Sequence, residues 1–201
     1  DGRGVLASPA GRWKIPVAWH LNAAPLLRGE VEVELAPQEG LDTPRGTLRL
    51  ARTGFSAHGL VLDLPATVLD SAFAGRAPAT FGGEIRIEAR ELAVDEPQGR
   101  GSMKITWERA RLAAADGTSV ALGTVSATVV PREGAFVGRI TNVGGEVSID
   151  GTTTLSRGGV ALDATLAPRA GANEAIARVL GQLSPPDANG AVRLQWVSER
   201  R

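Results

Sequence analysis

The sequence predicts a mainly β protein: a curled antiparallel meander sheet, a half-barrel or partly closed barrel, with two short helices. Three observations carry this. Apolar and polar residues alternate in run after run, as in Glu30-Val31-Glu32-Val33-Glu34-Leu35, which is the period of a strand with one dry and one wet face. Residues that tolerate positive φ separate the runs at Asp116-Gly117, Asp150-Gly151, Gly158-Gly159 and Asn189-Gly190, as tight hairpins require. Gly (25) and Pro (12) make up about 18% of the 201 residues, above the usual sum of roughly 12%, which argues against a helical bundle.

The elements follow in order. Trp13, Ile15, Val17, Trp19 and Leu21 share one face of a first strand, and Pro16 on the other face predicts a sheet edge or a bend there. Glu30–Leu35 and Thr47–Leu50 come next, then a segment around Ser56 and His58 that also alternates. Leu64–Phe73 reads as a short helix, with Pro65 in its first turn and Gly75 as its stop. Strands resume at Glu84–Arg90, Met103–Glu108, Thr124–Val129, Glu146–Ile149 and Val160–Leu166. Asn173 can cap a second helix over Glu174–Gln182, whose Ile176, Val179 and Leu180 make one apolar stripe with Leu183 before Pro185-Pro186 ends it. Val192–Trp196 closes the chain as a strand. Both helices are short and amphipathic, and so are expected to plug the ends or cover the open face of the sheet. One-faced strands with short connections pair antiparallel, since parallel sheets need long crossovers and two apolar faces. About ten such strands in sequence order make one meander, and residues 1–201 are expected to form a single domain.

Composition excludes several function classes. The 22 basic and 22 acidic residues cancel, so no charge field points to nucleic acid or to an anionic membrane. Glu84, Glu88, Glu91, Asp95 and Glu96 are interleaved with Arg86 and Arg90, which reads as cross-strand pairing on a wet face rather than as an acid–base pair. With no Cys there is no thiol catalysis, disulfide or cysteine-ligated metal. No apolar run reaches the ~18 residues that span a bilayer. The chain begins at Asp1 without an initiator Met, so it is expected to be the soluble part of a longer protein.

No catalytic, cofactor or metal site is predicted. His20 and His58 are far apart in sequence and read as surface residues. In Gly54-Phe55-Ser56-Ala57-His58-Gly59 a nucleophile elbow would need Gly where His58 stands, and a strand-to-helix turn where a strand is expected. Gly99-Arg100-Gly101 echoes a phosphate loop but leads into a strand, so a hairpin is expected instead. The four Trp residues (Trp13, Trp19, Trp107, Trp196) fall on the apolar phase of their strands. They read as core, or as the lining of an apolar groove on the concave face.

In the second half Gly82-Gly83-Glu84-Ile85-Arg86-Ile87 is followed by Gly101-Ser102-Met103-Lys104-Ile105-Thr106-Trp107-Glu108-Arg109-Ala110. Next come Leu122-Gly123, Asn142-Val143-Gly144-Gly145-Glu146-Val147, Ile149-Asp150-Gly151 and Leu166-Ala167-Pro168-Arg169, then Leu183–Leu194 with its Pro185-Pro186 and Asn189-Gly190. The first half adds Trp19-His20-Leu21-Asn22 leading to Leu26-Leu27-Arg28-Gly29, and the Leu64–Phe73 segment. In this order of features the chain resembles the type II secretion system protein N family. The resemblance implies a non-enzymatic accessory or scaffold component of the Gram-negative machine that exports folded proteins across the outer membrane. It further implies a periplasmic domain anchored to the inner membrane in the full-length protein, with other type II secretion components as partners: the inner-membrane platform or the secretin. It brings no catalytic residues, and Gly83, Trp107, Gly145, Gly151 and Gly190 match as turn and packing positions. The expected binding device is an exposed sheet edge, around Trp13–Leu21 at one side and Val192–Trp196, with Leu194, at the other. An alternative is an envelope lipid- or hydrophobe-binding module, its concave trough lined by Trp107 and Trp196.

Overall fold

The computed structural model describes residues 1–7, 13–38, 40–52, 54–72, 79–95, 98–132, 134–156 and 159–199. Thirteen strands form one sheet. The first six are β1 (Gly2–Ala7), β2 (Lys14–Asn22), β3 (Val31–Ala36), β4 (Arg45–Ala51), β5 (Gly54–Pro65) and β6 (Ala79–Asp95). The short β7 (Gln98–Gly101) is followed by β8 (Met103–Ala114), β9 (Ser119–Arg132) and β10 (Ala135–Val143). The last three are β11 (Val147–Ser156), β12 (Gly159–Pro168) and β13 (Val192–Glu199). Neighbours in sequence are neighbours in the sheet, except that β7 and β8 both lie along β6, and every pairing is antiparallel. The sheet is a meander that does not close.

Helix α1 (Val68–Ala72) is shorter than expected, because Leu64 and Pro65 end β5 and pair with Ile85 and Glu84; Phe73 and Gly75 lie outside the described residues. Helix α2 (Glu174–Leu183) stands where its pattern put it, and Asn173 Oδ1 accepts from Ala175 N at 3.1 Å. Two strands escaped the sequence pattern. β1 (Gly-Arg-Gly-Val-Leu-Ala) has Gly where apolar residues would show the period, and β10 carries Gly138 at a buried position between Phe136 and Ile140.

The expected turn at Asp150-Gly151 is a correction. Both residues lie inside β11, paired with Thr165 and Ala164. Gly151 is there for closeness: a Cβ would stand 2.6 Å from Ala164 Cβ and from Asp163 O. Asp116-Gly117 does turn β8 into β9, with Gly117 N donating to Ala114 O at 3.0 Å. At Asn189-Gly190 the Asp187 carboxylate accepts from Asn189 N and Ala191 N at 2.8 and 2.9 Å. Gly159 opens β12 opposite Ser156, while Gly158 lies outside the described residues.

The curl comes from one-residue bulges that twist a strand and re-aim its side chains. The register of β6 with β8 slips by one between Gly82 and Glu84, and that of β8 with β9 slips beside it. The extra residue in β8 is Arg109, at φ 49°. Opposite it Gly83, at φ 106°, lies flat on β8, where a Cβ would be 2.6 Å from Arg109 O. A further slip falls between β4 and β5.

Two apolar clusters lie along the sheet. The larger joins Phe81 and Ile85 of β6, Ala110 and Leu112 of β8, Val120 and Leu122 of β9, Val147 and Ile149 of β11, and Ala164 and Leu166 of β12 to Val192 of β13. Into it α2 inserts Ile176, Val179 and Leu180. Burying such side chains stabilises by roughly 1.5–3 kcal/mol each, far above what propensity gives an isolated ten-residue helix. Because α2 touches β8 and β9 as well as β12 and β13, the sheet must wrap around it. The smaller cluster holds Ala57 and Leu60 of β5, Ala89 and Leu92 of β6, Ala127 and Val129 of β9, and Phe136 of β10.

Candidate functional site

A meander alternates its connections between two ends. At one end lie β3–β4, β5–β6 with α1, β8–β9, β10–β11 and the α2 segment that joins β12 to β13. At the other lie β2–β3, β4–β5, β6–β7, β9–β10 and β11–β12, with no α-helix among the described residues. The helices therefore cap one end, and the opposite end is a mouth.

The inward side chains at that mouth are apolar and wet. Register sets Val31, Leu50, Phe55 and Val94 in a row across β3, β4, β5 and β6. Leu50 and Phe55 lie on the face of the buried Ala57, two residues on from Phe55. Leu50 is 56% exposed, Leu21 45%, Phe55 38% and Val31 37%. Leu27, on the 3-10 turn Ala24–Arg28 at the same end, is 92% exposed. Sequence reading missed this mouth. An apolar residue at a strand end looks the same whether a helix covers it or not, and only the topology shows that both helices went to the other end.

The strand order ends at β1 and β13; β1 pairs with β2, and β13 pairs with β12 and, at Val192 alone, is bridged on its other side by Pro186. The expected first edge at Trp13–Leu21 is thus corrected: β2 has β1 on one side and β3 on the other. At Pro16 β2 is paired on one side only, with Val5 of β1, because β3 reaches only Ala18–Asn22 and the Gln38 amide takes over on the other side, Nε2 donating to Val17 O at 3.3 Å. The last edge is where the sequence put it, at Val192–Trp196.

The five candidate residues do not form one site. Trp19 lies over Gly2 and Gly4 of β1, whose missing side chains make room for the ring. Trp13 is half-buried, and its indole N–H is buried with no hydrogen-bond partner among the described residues. Trp107 is core: its ring centroid is 6.0 Å from that of Phe81, and Nε1 donates to Gly82 O at 3.0 Å. Leu194 packs on the same core, and Trp196 is half-buried opposite Leu162 on β12. A trough lined by Trp107 is ruled out, because α2 and the larger cluster fill that part of the concave face.

The outer face carries paired charge. Arg193 grips Asp163 with two hydrogen bonds, Nε at 2.9 and Nη2 at 2.6 Å, and Gln195 adds a third at 3.3 Å. These donors, Arg193 first, pull the Asp163 carboxyl down to about 2. Arg139 holds Asp150 the same way at 3.3 and 3.1 Å. Arg49 faces Glu32 across β3 and β4, and with Asn22 keeps that carboxyl below its ordinary value. These pairs neutralise charge within the ladder itself.

For chemistry there is little. His20 pairs with Asp1 at the surface, and His58 is exposed on β5 opposite Thr47 and Glu91. Ser56 lies on the same strand, not on a strand-to-helix turn. Gly99-Arg100-Gly101 forms β7, hairpinned onto β6. Among the described residues no three His, Asp or Glu converge as metal ligands, and no helix is long and apolar enough to cross a membrane.

A protein-family model described as type II secretion system (T2SS), protein N, matches residues 4–195. No curated protein and no solved structure matches the chain. The match takes in β2 to β12 whole, the bulged centre and both helices, so the chain belongs to the type II secretion system protein N family.

Proposed function

We propose that residues 1–201 work as one non-enzymatic periplasmic domain, anchored to the inner membrane in the full-length protein. As a component of type II secretion it acts with the other components of that machine in the cell envelope. Its role in this reading is that of a scaffold, holding the inner-membrane platform or the secretin by strand addition. The observation that carries it is the open meander, whose strand order ends at β1 and β13, so that among the described residues each has a side on which no further strand of the sheet pairs, Pro186 bridging β13 only at Val192. Hydrogen exchange tests it. Amides of β1 or β13 become protected when the other secretion components are added, and unchanged exchange at both edges disproves it.

The mouth supports a second reading, a hydrophobe-binding module whose ligand meets Leu21, Val31, Leu50 and Phe55 rather than Trp107. An environment-sensitive apolar dye then brightens with the protein and not with a Leu50→Asp, Phe55→Asp variant. Equal brightening with both disposes of it.

A further inference from the structure

The 3-10 turn at the mouth is well built, yet the core does not use it. Pro25 starts it, Asn22 Oδ1 accepts from Ala24 N at 3.2 Å, and Gly29, at φ 74°, closes it with its N–H on Leu26 O at 3.0 Å. None of its residues is buried, although Pro25, Leu26 and Leu27 are apolar. Val31, Leu50 and Phe55 continue that apolar surface onto the strands. It is a shelf and not a channel. In the next inward row Ala57 and Leu92 are already buried, and Leu48 packs on the smaller cluster beside them. A single acyl chain would need depth that this row denies, whereas a bilayer needs only a protruding apolar end.

Charge and chain direction point the same way. The neighbouring carboxylates Glu30 and Glu32 both turn to Arg49, at 3.8 and 2.9 Å. Arg28 and Arg52, exposed on the β2–β3 and β4–β5 turns, make no ion pair among the described residues. Gly2 lies opposite Trp19 and the Asp1 carboxylate meets His20, so β1 starts from the mouth end of the sheet. We propose that this end rests on the lipid surface of the inner membrane. Leu26 and Leu27 enter the acyl boundary, Val31, Leu50 and Phe55 lie against it, and Arg28 and Arg52 reach the phosphates. This rests on the reading of the chain as anchored to the inner membrane, and it names what the mouth meets there. An anchor ahead of residue 1 then holds the mouth, and not the helix-capped end, against the bilayer. The neutral total charge does not oppose this, because a few inserted apolar side chains supply most of the affinity.

With no Cys in the chain, one thiol-reactive dye reports orientation. Ala23→Cys on the mouth turn and Ala115→Cys on the β8–β9 turn at the capped end are both exposed positions. Each variant carries an environment-sensitive label and is mixed with vesicles of phosphatidylethanolamine and phosphatidylglycerol. The label at 23 should brighten and shift to the blue, that at 115 should not, and the protein should float with the vesicles. Leu27→Asp in the labelled Ala23→Cys chain should weaken binding roughly tenfold or more, and Arg28→Ala roughly fivefold. Circular dichroism establishes that the variants are folded. A silent label at 23 without flotation overturns the proposal. Equal brightening at 23 and 115 also does, since it means adsorption in any orientation. If a short-chain phospholipid below its micelle concentration brightens the label at 23 as much as vesicles do, the mouth takes one lipid molecule; the bilayer contact is overturned and the hydrophobe-binding reading stands. A label silent on vesicles but responsive to the other secretion components makes the mouth a protein interface and overturns the proposal too. Alkaline extraction of membranes holding the full-length protein tests the anchor separately: release there, with vesicle binding intact, removes the anchor and leaves the lipid contact standing.

Discussion

Gly83→Ala is the sharpest test of the bulge that curls this sheet. Gly83 stands at φ 106°, where a side chain costs of order 1–3 kcal/mol in backbone strain. An added Cβ would also contact Glu108 O and lie 2.6 Å from Arg109 O. Both atoms are strand backbone, so neither can swing away, and β6 and β8 must part locally. Two hydrogen bonds cross that point: Ala66 N to Gly83 O at 2.9 Å and Trp107 Nε1 to Gly82 O at 3.0 Å. Losing one of them removes about 1 kcal/mol. The sum is roughly 3 kcal/mol, a large share of the 5–15 kcal/mol by which a domain is stable. Urea unfolding followed by tryptophan fluorescence should show the midpoint falling with little change in slope, and the native emission of Trp107 should shift with it. A loss below about 1 kcal/mol would mean that the bulge is not built as described.

Three further outcomes are expected. Leu180→Ala, at a fully buried position on α2, should cost roughly 2–5 kcal/mol, whereas Asn173→Ala removes only a cap worth about 1 kcal/mol; comparable urea midpoints for the two would mean that α2 is not packed in the core. Arg109→Gly should be neutral within about 0.5 kcal/mol, because relief at φ 49° offsets the loss of an exposed ion pair with Glu84 and the added freedom of the unfolded chain. Arg109→Val, β-branched in the same conformation, should lose roughly 1–2 kcal/mol, and equal midpoints for Gly and Val would count against the bulge. The Asp163 carboxyl titrates at about 2 in the folded chain against 3.8 ordinarily, so its contribution is complete above that ordinary value and is lost as pH falls toward 2. Urea midpoints of the wild type should drop more steeply across that window than those of Asp163→Asn, and parallel curves would show the pair with Arg193 to be unformed in solution.

Period-two alternation sufficed for most strands, because side chains on a pleated strand must alternate between core and water wherever one face is buried. It failed at β1 and β10, where Gly2, Gly4 and Gly138 occupy inward positions and carry no apolar signal. It also misread Asp150-Gly151, since a glycine needed for a turn and one needed for close approach to Ala164 look alike in sequence. The stripe on α2 was legible down to its Asn173 cap. What it packs against was not, since that depends on which strands the curl brings around it.

The chain by itself thus determined a one-faced antiparallel meander with its family features in order and with its Asp116-Gly117 and Asn189-Gly190 turns, though not the one read at Asp150-Gly151. Tertiary structure decided where that sheet begins and ends, with β1 beyond Trp13–Leu21 and β13 last. It also decided that both helices cap the same end, so that Trp107 became core while Leu50 and Phe55 were left at an open mouth. The physical reason is that alternation reports only which face of a strand is dry. Closure, capping and free edges depend on bulge-driven curvature summed over many strands, and no single strand carries that sum.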